Sequence, residues 1–206
     1  MERDEITVKV KLRLDELGPF EEGQVIDSGR IDAYLDDSGD RLQKIVPPYI
    51  VTPSSFADAS ASSGGSVAYD AYTGYVPLPA DFLKLVSFKM ENWAKAVTRA
   101  ITENDPLYKK QNNIYVRGSH IKPVAVFRTL YGVGKVLDYY SVQSGLHTVE
   151  QGLYLASKAA EDLDEILIDP LAYLVAEAIL NAVGEFDAAK AANAKVFEWI
   201  NARAVI

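Results

Sequence analysis

Gly132-Val133-Gly134-Lys135 is the nearest this chain comes to a phosphate-binding loop. Such a loop cradles phosphate oxygens with backbone N–H groups, and it needs an earlier glycine and a Ser or Thr after the lysine. Both are missing, and strand-like sequence flanks the tetrapeptide on each side, so it reads as a hairpin turn. Asp36, Ser38 and Asp40 have the alternating oxygens that open a calcium loop. The sixth position of that pattern is Arg41 instead of a turning glycine, and the twelfth is Pro47 instead of a bidentate Glu. The run reads as a solvated helix face. Glu161, Asp162, Asp164 and Glu165 could supply a cation site or an acid–base pair. No His or Cys is near them in sequence, and they read as charged surface. His120 and His147 lack zinc-ligand spacing, and Ser119-His120 is not set in a nucleophile elbow. Lys109, Lys110, Arg117 and Lys122 gather in one polar stretch, a solvated edge able to meet an acidic partner. No constellation specifies a reaction. The chain is expected not to be an enzyme, and to use no cofactor and no metal.

The overall balance narrows the classes further. Of 206 residues, 49% are hydrophobic and 24% charged, the ordinary proportions of a folded protein. That length suits one sizeable domain, or one with a long arm. A net charge of −8 disfavours a primary nucleic-acid binder, because phosphate affinity comes from clustered Lys and Arg that release counterions. It does not forbid a wall past which DNA must slide, since such a lining need not attract phosphate. The lack of cysteine excludes disulfides, thiolate zinc sites and thiol catalysis, and fits a reducing cytoplasm. The opening MERDEITVKVK is charged and has no apolar core, so no secretory signal is expected. No run of about 18 apolar residues predicts a membrane span.

The elements that must carry any function are organised around residues 76–93, VPLPADFLKLVSFKMENW. Pro77 and Pro79 fix a turn, and 81–90 follows as a strand carrying Phe82, Leu83, Leu85, Val86 and Phe88. Upstream, 5–17 is ambiguous: Ile6, Val8, Val10, Leu12 and Leu14 alternate as in a strand, while Ile6, Val10, Leu14 and Leu17 stack at helical spacing. Residues 28–46 predict a helix, capped by Ser28, with Ile31, Tyr34, Leu35, Leu42 and Ile45 on one face. Pro47-Pro48 stops it. The Ser/Ala/Gly stretch 53–66 is expected to be a mobile loop. Tyr69, Tyr72 and Tyr75 then suggest a short strand. A second paired strand is expected over 96–102, and 108–117 reads as loop. The runs 123–130 and 135–142 form a hairpin across Gly132 and Gly134. Asp169-Pro170 predicts a helix start, Gly184 ends that helix, and Asp187 caps another to about Arg203.

Several of these pieces, taken in order, resemble a known family. They are Leu78-Pro79-Ala80-Asp81-Phe82, Trp93, DPLYKKQNNIYVRG, Pro123-Val124, Tyr140-Ser141 and the terminal helical pair over 169–203. This succession resembles the head-to-tail connector (adaptor, or ring) proteins of tailed bacteriophages, most closely the ring proteins of crAss-like phages. The likeness covers about residues 76–203 well and the N-terminal third weakly. It implies an α+β, mainly helical fold: a single adaptor domain over 1–206, a helical bundle with a small antiparallel sheet. Its parts would be N-terminal helices over 1–48, a flexible loop over 49–75, a β-rich part over 76–155 and a helical pair over 156–206. It also tilts residues 5–17 towards helix.

The implied function is structural. Twelve copies would form a ring beneath the portal protein, at the head–tail interface of a virion made in the bacterial cytoplasm. The ring would extend the DNA channel without specific DNA binding and dock the next neck or tail component, with no membrane involved. The resemblance places Tyr173, Leu174, Phe197, Trp199 and Arg203 at a subunit or portal interface, and Phe56, Tyr131 and Val133 in loops reaching a neighbouring subunit. Other readings are a stopper or tail-completion protein, and a small ligand-binding domain or hydrolase.

Overall fold

The computed structural model describes residues 3–17, 27–57 and 65–203. In chain order these form α1 (Arg3–Leu17), α2 (Ser28–Ile45), β1 (Ser54–Ser55), β2 (Val67–Ala68), β3 (Gly74–Pro77) and β4 (Phe82–Met90). Then come β5 (Ile101–Thr102), α3 (Pro106–Gln111), β6 (Ala125–Leu130), β7 (Gly134–Tyr139), β8 (Val149–Ala156), α4 (Ile168–Val183) and α5 (Phe186–Arg203). The chain divides into two compact units, Met1–Val51 with Ser157–Ile206, and Thr52–Ala156. The expected mainly helical bundle with a small sheet is therefore corrected. The fold is α+β with substantial sheet, three strands in one layer and five in another among the described residues.

The first unit is helical, and its core decides the ambiguous N-terminal segment. Ile6, Val10 and Leu14 are fully buried while Val8 and Leu12 are exposed, so the four-residue spacing wins over the alternation. Burying every fourth side chain against a neighbouring helix requires the 3.6-residue period. Ile31, Leu35 and Leu42 of α2 join the same core, with Leu171, Leu174, Val175, Ile179 and Leu180 of α4 and the narrow Ala189, Ala192, Val196, Ile200 seam of α5. Three helix starts differ from expectation, one of them that of α5, which begins at Phe186 and so has Asp187 inside its first turn. Asp27, not Ser28, precedes α2, with extended backbone. α4 begins at Ile168 behind Leu167, because a 3-10 turn over Glu165–Leu167 runs straight into it and puts Asp169 inside the first turn. Gly184 ends α4 at φ 89°, the left-handed conformation that glycine adopts without Cβ strain. The segment Glu165–Val183 is long and apolar enough to cross a membrane by length and composition. Most of it is buried inside the protein, as expected of a core helix.

The second unit is two facing sheets, ordered β1-β8-β4 and β2-β3-β7-β6-β5. All pairings are antiparallel except β5 with β6. Leu85, Phe88, Met90 and Trp93 meet Val76, Ala125, Leu137 and Tyr139 in one core. The strand expected over 81–90 is β4. The segment expected to pair over 96–102 makes one antiparallel bridge, Phe88 to Val97, before Ile101 and Thr102 join the other sheet in parallel. The segment read as loop over 108–117 instead begins within α3, whose first turn is capped by Asp105 accepting from Leu107 N at 2.8 Å. The expected mobile stretch 53–66 is ordered at its described ends: β1 pairs with β8, and Ser66 Oγ donates to the His147 carbonyl. Residues 58–64 lie outside the described residues.

Candidate functional site

The groups first considered for chemistry are dispersed in local structure. Gly132-Val133-Gly134-Lys135 runs from the β6–β7 turn into β7, with Gly132 at φ 78° and Gly134 at φ 101°. Asp36 and Asp40 lie exposed on α2 with Ser38 buried between them, and Asp36 accepts from Arg3 Nη2 at 2.9 Å. Of the acidic run, Asp164 is paired with Lys158 at 2.7 Å and Glu161 with Arg3 at 3.7 Å. The His147 ring shares a hydrogen bond with the Tyr139 hydroxyl at 2.9 Å. Among the described residues, no group of three or more His, Asp or Glu is placed to hold a metal ion.

What the second unit does build is a pair of supported projections. The first is the β6–β7 hairpin. Six-residue strands pair in register from Ala125↔Tyr139 to Leu130↔Gly134 and carry Tyr131 wholly exposed at the tip, beside half-exposed Val133. A charged clamp stiffens its shaft. Arg128 Nη1 donates to buried Asp138 Oδ2 at 2.8 Å, and Arg128 Nε donates to Glu103 at 2.9 Å. Tyr69 Oη donates to the other Asp138 oxygen at 3.1 Å. Burial raises the Asp138 carboxyl above its usual range, although Arg128 and Tyr69 oppose that shift. Burial also pushes up the Tyr69 and Tyr140 hydroxyls, with the Asp138 charge adding to both shifts.

The second projection is the loop 112–122. Its base is tied twice through Gly118: Gly118 N donates to Gln111 Oε1 at 2.9 Å, and Ser141 Oγ donates to the Gly118 carbonyl. Ser141 takes a left-handed φ of 61°, an uncommon conformation for a residue with a Cβ. A Cβ on Gly118 would meet Val124 at 2.9 Å, so the close approach requires glycine. The apex presents Ile114, Tyr115 and Val116, with Tyr115 92% exposed. Sequence reading found the basic residues of this loop but not its apolar apex; three consecutive exposed apolar residues between polar neighbours were the available signal.

The expected interface residues differ in exposure. Leu174 is fully buried in the helical core, so it offers nothing to a partner. Tyr173 is half-buried, with Arg13 stacked over its ring at 4.8 Å and its hydroxyl donating to Glu16 at 3.2 Å. Trp199 lies under Arg203 at 3.8 Å, and Phe197 is exposed. Phe56 is packed against Phe82, Phe88 and Tyr154 at ring separations of 6.0–6.4 Å. Its position in the sheet core corrects the expectation of a free loop contact. Tyr131 and Val133 do stand at an exposed tip.

The second unit also holds an open cleft of about 500 Å³. Leu78, Phe82, Leu85 and Phe127 are among its apolar lining, and Lys84, Lys135 and Arg128 among its cations. No protein-family model matches this chain, and no curated protein matches its sequence.

Proposed function

We propose that the chain is a structural virion protein, a subunit of a homo-oligomeric ring beneath the portal of a tailed bacteriophage. The observation that carries this reading is the β6–β7 hairpin, whose rigid shaft ends in a fully exposed Tyr131. A large aromatic held out from a stiff support is suited to burial by another chain, since exposed apolar surface of this kind marks interaction sites. The order of motifs resembling connector proteins supports the same reading, from Leu78-Pro79-Ala80-Asp81-Phe82 at the start of β4 to the helical pair of α4 and α5. The acidic net charge of −8 suits a conduit that does not grip DNA. In this reading about a dozen copies close into a ring by a heterologous contact, in which one surface of each copy meets a different surface of the next.

Cross-linking mass spectrometry on intact particles containing the chain tests the placement. Links from 187–203 to portal subunits, and from Lys135 near the hairpin tip to a neighbouring copy, are expected. Links confined to tail components distant from the portal would replace the adaptor role with that of a stopper or tail-completion protein.

The cleft favours a second reading, a ligand-binding domain. Its lining joins apolar side chains to Lys84 and Lys135, while Arg128 is paired with Glu103 and Asp138, and the two lysines suit the head group of an anionic amphiphile. A saturable thermal shift with a medium-chain fatty acid, lost in Lys84→Glu, would support that alternative.

A further inference from the structure

Two exposed patches of this chain each combine apolar side chains with charges, and the charges are of opposite sign. The first is the loop 112–122 with the end of α3. Between Pro106 and Lys122 the sequence carries Lys109, Lys110, Arg117 and Lys122 and no carboxylate, against a chain net charge of −8. Ile114, Tyr115 and Val116 stand at its apex, each more than half exposed. The loop is held by its Gly118 ties and by Arg117, whose guanidinium lies 5.7 Å from the Tyr72 ring centre. The second patch is the turn between α4 and α5. Phe186 is 69% exposed and Val183 42%, and the exposed carboxylates Glu185 and Asp187 flank them. Among the described residues neither carboxylate is in an ion pair, and neither are Lys109, Lys110 and Lys122.

We propose that these patches bind each other between copies of the chain, the 112–122 loop of one copy covering the 183–187 turn of the next. This rests on the ring reading above and names the two surfaces that would close the ring. The occupant is set by complementarity: apolar side chains accompanied by cations meet apolar side chains accompanied by anions, an arrangement that orients and speeds encounter. Ile114 and Val116 point to a protein partner instead of single-stranded nucleic acid, where aromatic stacking on bases would dominate. Since the two surfaces differ, the contact propagates head to tail and closes or extends according to its rotation.

Charge-swap variants of the full chain test this, with circular dichroism confirming that each retains its fold. Lys109→Glu with Lys110→Glu makes both patches acidic; Glu185→Lys with Asp187→Lys makes both basic. In sedimentation velocity the wild type is expected to associate with rising concentration, and less so at high salt. Each double variant alone should bind itself at least about tenfold more weakly, and an equimolar mixture of the two should restore association. Undiminished association of both variants overturns this inference and leaves the ring reading standing, because other surfaces would then hold the copies together. A wild-type chain still monomeric at about 1 mM also overturns it, while the ring reading is judged separately on particles containing the portal. Wild-type binding to vesicles of phosphatidylserine and phosphatidylcholine, lost in the Lys109→Glu, Lys110→Glu variant and without self-association, would assign the loop to a membrane and overturn the proposal.

Discussion

Asp138 and Asp70 are two carboxylates of the same sheet unit with opposite balances. Asp138 is 1% exposed and held by Arg128 and Tyr69. Replacing it with Ala leaves the Arg128 charge without its buried partner. A loss of about 2–3 kcal/mol in urea unfolding is expected, below the full cost of a broken buried pair because Arg128 is itself partly solvated. Asp138→Asn, which keeps an acceptor for Tyr69, should lose less. Burial pushes the Asp70 carboxyl up, but the donating amides of Tyr72 and Thr73, at 2.7 and 2.8 Å, outweigh it and leave the group below its usual range. A carboxyl lowered by folding stabilises the native state fully above its unfolded value near pH 4, and that contribution disappears as pH falls through the lowered value. Amide-exchange protection at Tyr72 and Thr73 should therefore fall on acidification below about pH 4, and Asp70→Ala should remove that dependence. The Asp138 network was not legible in the sequence. Arg128, Asp138 and Tyr69 become neighbours only through strand pairing, and no spacing in the chain marks them.

At the scale of elements, legibility followed periodicity. α2, the α4–α5 pair and the β6–β7 hairpin were readable because each combines a clear period with a Gly or Pro boundary. α1 satisfied two periods at once, and only tertiary packing decides between them. β8 was missed altogether, although it is the middle strand of its sheet. Its VEQGLYLA sequence has Glu and Gln in its first half and a glycine at its centre, weak credentials for a strand. The structure explains that glycine: a Cβ on Gly152 would meet the Phe56 ring at 2.7 Å, so the position is kept bare for an aromatic from a segment too polar to read as ordered. Gly74 is tighter still, since its Cβ would run into the Tyr139 hydroxyl and the Val67 carbonyl. Backbone cannot yield as a side-chain tip can. Gly74→Ala should cost at least about 1–3 kcal/mol, read as a lowered unfolding midpoint. In α4, Leu174→Ala should cost about 2–5 kcal/mol by leaving a cavity. Leu174→Asp should unfold the helical unit, giving insoluble protein; a soluble, folded variant would place Leu174 at the surface.

For the whole molecule, the presence of both helices and strands could be read in advance. The balance between helix and sheet was misjudged because β1, β2 and β5 are two residues each and β8 lacks a clean pattern. Short strands gain their stability from neighbours far along the chain, and single-sequence periodicity cannot register that. The surfaces proposed for assembly also emerge only in the fold, where Phe56 and Leu174 turn inward while Tyr131, Tyr115 and Phe186 remain outside. In the proposed reading this chain works as one of many identical subunits around a channel. Single-particle imaging of the full chain co-assembled with a portal protein tests it most directly. Closed rings with one rotational symmetry, twelvefold by resemblance, stacked coaxially on the portal are expected. Portal particles with no added ring density, beside a monomeric chain that does not bind them, would contradict it.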